Sequence, residues 1–264
     1  VHVNFAPVAD VNTNPKNPVI GNRSFGDDPK KVARQVIAYA QGLEDGGVLS
    51  VSKHFPGHGD TDLDSHLALP TLNFGRERLD SIELYPFREA FKAGLGGVMV
   101  AHLDIPALEP ERGRPASLSK AVVTDLLQNE MGFKGLIFTD ALEMKGVANH
   151  TNVCLQALKA GNDMILVPPR IKEDVDGILK AIETGELPAS YIREKCRKVL
   201  TFKYALGLKE KPRVNLSGLE QRINSEEAQA LIERLKSAVK KQPEELGFNV
   251  ERLSAIDTIV AEAI

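Results

Sequence analysis

Short, nearly continuous apolar runs alternate with helix-like stretches along most of this chain, and that alternation constrains its fold more than any other feature. The runs are Val1–Val8, Val48–Ser52, Gly97–His102, Gly135–Thr139 and Met164–Val167. Each is rich in β-formers, as expected for a strand buried on both faces. Between them, Lys30–Asp45, Arg76–Ala93, Lys120–Glu130 and Val153–Ala160 carry apolar residues at helical spacing. Ser119 is placed to cap the third helix and Gly132 to end it. The order βαβαβα predicts a parallel sheet, either a barrel or a doubly wound sheet. A chain of 264 residues can bury a sizeable core in one or two domains.

After Pro169 the pattern becomes helical. Ile171–Glu183 and Ala189–Leu206 read as amphipathic helices, the second stopped by Gly207. Glu210–Ser217, with Pro212, reads as a linker. Ser225–Lys241 is a further helix rich in Glu and Lys, Gln242–Glu245 breaks it, and Val250–Ile264 is a last amphipathic segment.

Charge and composition exclude several classes. The formal net charge of −3 offers no basic excess for a nucleic-acid backbone. No apolar run is long enough to span a bilayer. Cys154 and Cys196 stand alone, so neither a disulfide framework nor a cysteine zinc site is expected. Trp is absent and aromatics are 5%, which disfavours a long polysaccharide track and favours a small substrate if sugars are bound. No signal peptide is visible, and the opening at Val1 within a strand-like run suggests a processed or truncated start.

One segment concentrates the chemistry: Lys53-His54-Phe55-Pro56-Gly57-His58-Gly59, then Asp64-Ser65-His66 and Pro70. It follows a predicted strand, on the face where α/β barrels collect catalytic groups. Pro56, Gly57 and Gly59 predict an irregular, mobile loop. A solvated polar loop, a metal site and a His–Asp dyad all remain open for it. His54, His58 and His66 lie in no known zinc spacing. In the dyad reading, Asp64 holds the His66 imidazole for acid/base work near neutral pH. Asp140 ends the Gly135–Thr139 run and is either a helix cap or a carboxylate nucleophile. Asp10 ends the first run, and Arg23 lies in a glycine-flanked loop, where it pins a substrate oxygen or pairs with an acid such as Asp10. His102 closes another strand, and a satisfied structural histidine is its expected role.

The segment KHFPGHGDTDLDSHLALP resembles the signature of glycoside hydrolase family 3, in its bacterial β-N-acetylglucosaminidase branch, whose members recycle peptidoglycan fragments. NFAPVADVNTNP, GNRSFGDDP, GVMVAHLDIPAL and GFKGLIFTDALEMKGV match the same branch in order, over roughly Val1 to Leu208. The resemblance implies an (α/β) TIM-type barrel, incomplete at its N-terminus, over residues 1–208, with a helical tail at 209–264. It implies a retaining exo-β-N-acetylglucosaminidase acting on small cell-wall-derived glycosides. Asp140 matches the nucleophile position, His66 the acid/base and Asp64 its orienting partner. Arg23, Lys53 and His54 match positions that grip the sugar hydroxyls. Most retaining glycosidases use a second carboxyl as acid/base, so a histidine there is a departure. No metal or organic cofactor is implied.

The family's barrel begins before the NFAP motif, and only roughly five strands are countable here where a full barrel has eight. Unpaired strand edges invite self-association or a partner chain that completes the barrel. The alternatives are a weakly active or inactive barrel fragment serving as a sugar-binding scaffold, and a β-glycoside phosphorylase. Residues 213–235 resemble the lead-in to a second domain of longer relatives. Residues 247–264 resemble the opening helix of β-lactamase-like domains, without the SxxK motif that would follow. That tail points to export, with the cytoplasm as the alternative compartment.

Overall fold

The computed structural model describes residues 1–63, 68–210 and 216–241. The chain divides into two compact units, Val1–Lys209 and Glu210–Ile264.

The first unit is built on parallel strands: β1 Val3–Asn4, β2 Leu49–Ser50, β3 Ser52–Phe55, β4 Gly97–Val100, β5 Leu136–Ala141 and β6 Met164–Leu166. β1 pairs with β2, and β3, β4, β5 and β6 follow one another in sequence order. β2 and β3 are one strand interrupted at Val51, and Val8 bridges Lys53, so β1 continues along β3. The registers are parallel throughout, for example Gly97 to Leu136 and Val100 to Thr139. Every connection is a crossover through helix, which places the C-terminal ends of all strands at one rim. This is the arc of a TIM-type barrel.

Side-chain alternation sorts the sheet into two faces. Val98, Val100 and Ile137 join the cluster that includes Val32, Val36 and Ala40 of α1 (Pro29–Asp45) and Phe87 and Ala90 of α3 (Tyr85–Lys92). Phe55 and Phe87 are fully buried edge to face at 5.3 Å, each worth about 1.5–3 kcal/mol of apolar transfer. Leu49, Val51, Met99, Leu136 and Phe138 form a separate cluster, packed by Val199, Phe202 and Leu206 at the end of α6 (Ala189–Ala205). Asp163, its side chain fully buried ahead of β6, ties α6 down. It accepts from Lys195 Nζ at 2.8 Å, Lys198 Nζ at 2.6 Å and the Ile137 amide at 3.0 Å.

Local chemistry explains the helix boundaries. The Asp28 side chain accepts from the Lys31 amide at 2.6 Å, and Pro29 opens α1. The expected helix over Arg76–Ala93 divides into α2 (Arg76–Ser81) and α3, because Pro86 lacks the amide that a continuous helix would use and its ring crowds the carbonyl of Ile82. Residues Ala121–Glu130 wind as a π-type helix that buries Val122, Val123, Leu126 and Leu127. Ser119 Oγ accepts from the Val122 amide at its start, and Gly132, at φ +70°, lies just past its end. α4 (Val153–Ala160) and α5 (Ile171–Glu183) keep the expected bounds.

The second unit contains α7 (Leu219–Ile223) and α8 (Glu226–Lys241) among its described residues. Most of the expected linker, the Gln242–Glu245 break and the Val250–Ile264 segment lie outside the described residues. No described helix is long and apolar enough to cross a membrane.

Candidate active site at the strand ends

Lys53 and His54 lie within β3, not after it, since the strand runs to Phe55. A register shift between Ser52 and Phe55 locally breaks the regular alternation of side chains. The Lys53–His54 and Phe55–Pro56 peptide bonds are cis. The Ala9 amide donates to the Lys53 carbonyl at 2.6 Å, which sets Asp10 beside this irregular stretch.

Asp10 is fully buried and organises what surrounds it. Its Oδ1 accepts from the His58 amide at 2.7 Å and the His54 amide at 3.1 Å, and its Oδ2 lies 2.7 Å from His54 Nδ1. A carboxylate only accepts, so Nδ1 of His54 carries the hydrogen. In the neutral ring Nε2 is then the acceptor, and it faces Arg23 Nη2 at 3.3 Å. Burial alone would raise the Asp10 pKa, but His54 and His58 outweigh it and hold the carboxyl below its ordinary 3.8. Arg23 thus meets His54 and the Val19 carbonyl, and Asp10 is bound by the histidine loop.

Pro56 to Gly59 are buried and tightly seated. A Cβ on Gly59 would lie 1.9 Å from the Val11 carbonyl oxygen, and one on Gly57 would lie 2.8 Å from Glu83 Cβ. These glycines permit close backbone approach, so the expectation of a mobile loop is corrected over Pro56–Gly59. Asn17 Nδ2 donates to the His58 carbonyl at 2.8 Å, and the Thr61 hydroxyl lies 2.7 Å from His58 Nδ1. Burial pushes the His58 imidazole below its ordinary 6.5, against the pull of Asp10.

Lys53 completes the group. Burial, then the Arg23 charge, press its ammonium below the ordinary 10.5, while Asp140 and Asp10 pull the other way. Its Nζ has no hydrogen-bond or ion-pair partner among the described residues. Asp140 lies at the end of β5, and its Oδ1 accepts from the Ala141 amide at 2.8 Å. Its Oδ2 has no hydrogen-bond partner among the described residues. A cation and a carboxylate oxygen, both unused and close enough to interact, sit in a frame whose other polar groups are largely satisfied.

Asp64 and His66 lie outside the described residues. The chain that flanks them is fixed on both sides. Asn14 Nδ2 donates to Asp62 Oδ1 at 2.7 Å, and the Asp104 amide donates to the Pro70 carbonyl at 2.9 Å. A separate cleft of about 570 Å³, lined by Glu111, Arg114, Lys159 and Glu186 among others, contains none of the expected site residues. Its charges pair with one another, Arg114 with Glu111 and Lys159 with Glu186.

From sequence, Asp10 reads only as an acid for Arg23, and Asn17 and Thr61 pass unnoticed. The signal for Asp10 was its place at a strand end of the same rim. Asn17 and Thr61 had no signal, because their partners are backbone and ring atoms more than forty positions away or in a local turn.

A parallel α/β barrel arc with cationic, imidazole and carboxylate groups gathered at its C-terminal rim defines a TIM-type carbohydrate-site architecture. The family model for the glycosyl hydrolase family 3 N terminal domain matches residues 1–202. The chain belongs to glycosyl hydrolase family 3. It is 36% identical over 228 residues to beta-hexosaminidase A of Pseudoalteromonas piscicida, covering 78% of this chain and 38% of that protein. The structure of a family 3 beta-N-acetylglucosaminidase from Paenibacillus sp. str. FPU-7 matches at 43% identity and a TM-score of 0.79, over 82% of this chain and 42% of that one. The beta-glucoside phosphorylase BglX matches at 27% identity and a TM-score of 0.82, over 87% of this chain and 44% of that one. The chain therefore spans less than half the length of each of these relatives.

Proposed function

We propose that this chain carries the catalytic barrel of a retaining β-N-acetylglucosaminidase that acts on small cell-wall-derived glycosides. The observation that carries the reading is the unpartnered Lys53 ammonium beside the free Oδ2 of Asp140, on a rim anchored by Asp10. The likeness to proteins named beta-hexosaminidase and beta-N-acetylglucosaminidase supports the choice of sugar.

Asp140 Oδ2 attacks the anomeric carbon as the glycosidic carbon–oxygen bond breaks. His66, protonated and oriented by Asp64, gives its proton to the departing oxygen. Water then attacks the same carbon, frees Asp140 and returns a proton to His66, so the β configuration is kept. Lys53, Arg23 and His54 bind ring hydroxyls. Asp10 orients His54, leaving its Nε2 toward Arg23 and the sugar. The barrel spans residues 1–208, and 209–264 is a helical tail.

Hydrolysis of an aryl β-N-acetylglucosaminide, with the aryl β-glucoside as control, tests this. Turnover selective for the N-acetyl sugar is expected. Equal rates on both sugars contradict the substrate assignment, and no turnover from a sample that melts cooperatively contradicts the activity. The likeness to the phosphorylase supports a second reading, in which inorganic phosphate replaces water at the second step. Formation of sugar 1-phosphate in phosphate buffer distinguishes it.

A further inference from the structure

His102 is fully buried at the end of the strand next to Asp140, and the proposed reaction does not use it. Its Nε2 lies 3.0 Å from the Ala141 carbonyl oxygen and its Nδ1 lies 2.7 Å from Ser117 Oγ. A carbonyl only accepts, so Nε2 carries the hydrogen. In a neutral ring Nδ1 then accepts from the Ser117 hydroxyl. Ser117 is itself fixed, its amide on the Ala101 carbonyl at 3.1 Å and its carbonyl on Asn162 Nδ2 at 2.8 Å.

Ala141 is the residue whose amide holds Asp140 Oδ1. On one side it pairs with Leu166 of β6, and the next amide, Leu142, donates to the Leu166 carbonyl at 2.9 Å. On the other side its carbonyl receives His102. Two tethers therefore fix the direction in which the Ala141 amide points. That direction commits one oxygen of Asp140 and leaves the other free.

We propose that His102 is a positioning residue for Asp140, acting through Ala141, so that one carboxylate oxygen is held and the other is presented to the sugar. The role rests on Asp140 being the nucleophile. Sub-ångström placement matters here, since a displacement of about 1 Å costs on the order of 10²-fold in rate.

The test uses His102→Leu, His102→Gln and Ser117→Ala in the full chain, with two readouts. Steady-state kinetics are read on an aryl β-N-acetylglucosaminide, and amide hydrogen exchange is read at Ala141 and at Ile137 of the same strand. In His102→Leu we expect kcat to fall by roughly 10²-fold with KM changed by less than about threefold. Exchange should quicken at Ala141 and stay unchanged at Ile137. His102→Gln, whose amide can donate to Ala141 and accept from Ser117, should restore most of kcat. A folded His102→Leu with wild-type kcat overturns the proposal. So does exchange that quickens equally at Ala141 and Ile137, because that marks general support of the strand. If His102→Leu does not fold, Ser117→Ala decides: a smaller change in the same direction at both readouts supports the role, and no change at either overturns it. Absence of turnover in the wild type contradicts the proposed function, and exchange at Ala141 then decides the positioning claim by itself.

Discussion

At the end of β3 a single buried carboxylate gathers two backbone amides and an imidazole, and the glycines beside it leave no room for a side chain. At the end of β5 Asp140 is only partly buried and its carboxylate accepts one backbone amide. The first arrangement makes Asp10 part of the fold. The second leaves Asp140 an oxygen that no described protein group uses. The two carboxylates belong to one rim, yet mutation should separate them: one sustains stability, the other reactivity.

The largest effect expected is on activity. Asp140→Asn should lower kcat by several orders of magnitude and leave the denaturation midpoint nearly unchanged, because only one hydrogen bond is altered. A large loss of stability in that variant would break the comparison from the reactive side. Asp10→Ala should cost about 3–5 kcal/mol in chemical denaturation, since it strands a buried imidazole and two amides. A cost below about 0.5 kcal/mol would show that Asp10 is not the anchor. Gly59→Ala should cost about 1–3 kcal/mol by forcing backbone apart from Val11, while the equivalent change at an open glycine such as Gly42 should not.

The pH dependence of stability sharpens the contrast further. The Asp10 carboxyl is held below 3.8, so the stability it contributes is fully present above that value and is lost as pH falls through its folded pKa. Denaturation midpoints between about pH 3 and 6 should fall less steeply in Asp10→Asn than in the wild type. Glu83, beside Gly57, has the opposite sign. Burial raises its carboxyl above 4.5 despite Arg78 at 2.9 Å, so its contribution is greatest below 4.5 and declines as pH rises through its folded value. Glu83→Gln should remove that decline, the smallest of these effects. An unchanged slope would mean that Arg78 fully compensates the buried charge.

The strands and most helices were legible because parallel strands buried on both faces leave continuous apolar runs, and because Asp28-Pro29, Ser119, Gly132 and Gly207 punctuate the helices chemically. The end of β3 was not legible. Lys53 and His54 are polar, and nothing in a linear pattern shows that a parallel strand carries them inside its last residues. The glycines of that segment signalled looseness by composition, whereas in three dimensions they mark close contact with Val11 and Glu83. Asp140 was legible as a strand end. Its free oxygen was not, because that depends on where the Ala141 amide points.

The most direct test of Asp140 as the nucleophile is to trap the intermediate with a slowly turned-over fluorinated N-acetylglucosaminide, digest the protein and read the modified peptide by mass spectrometry. A single glycosyl adduct on Asp140, absent in Asp140→Asn, is the predicted result. An adduct on another residue, or an inverted sugar product formed with no adduct at all, would contradict it.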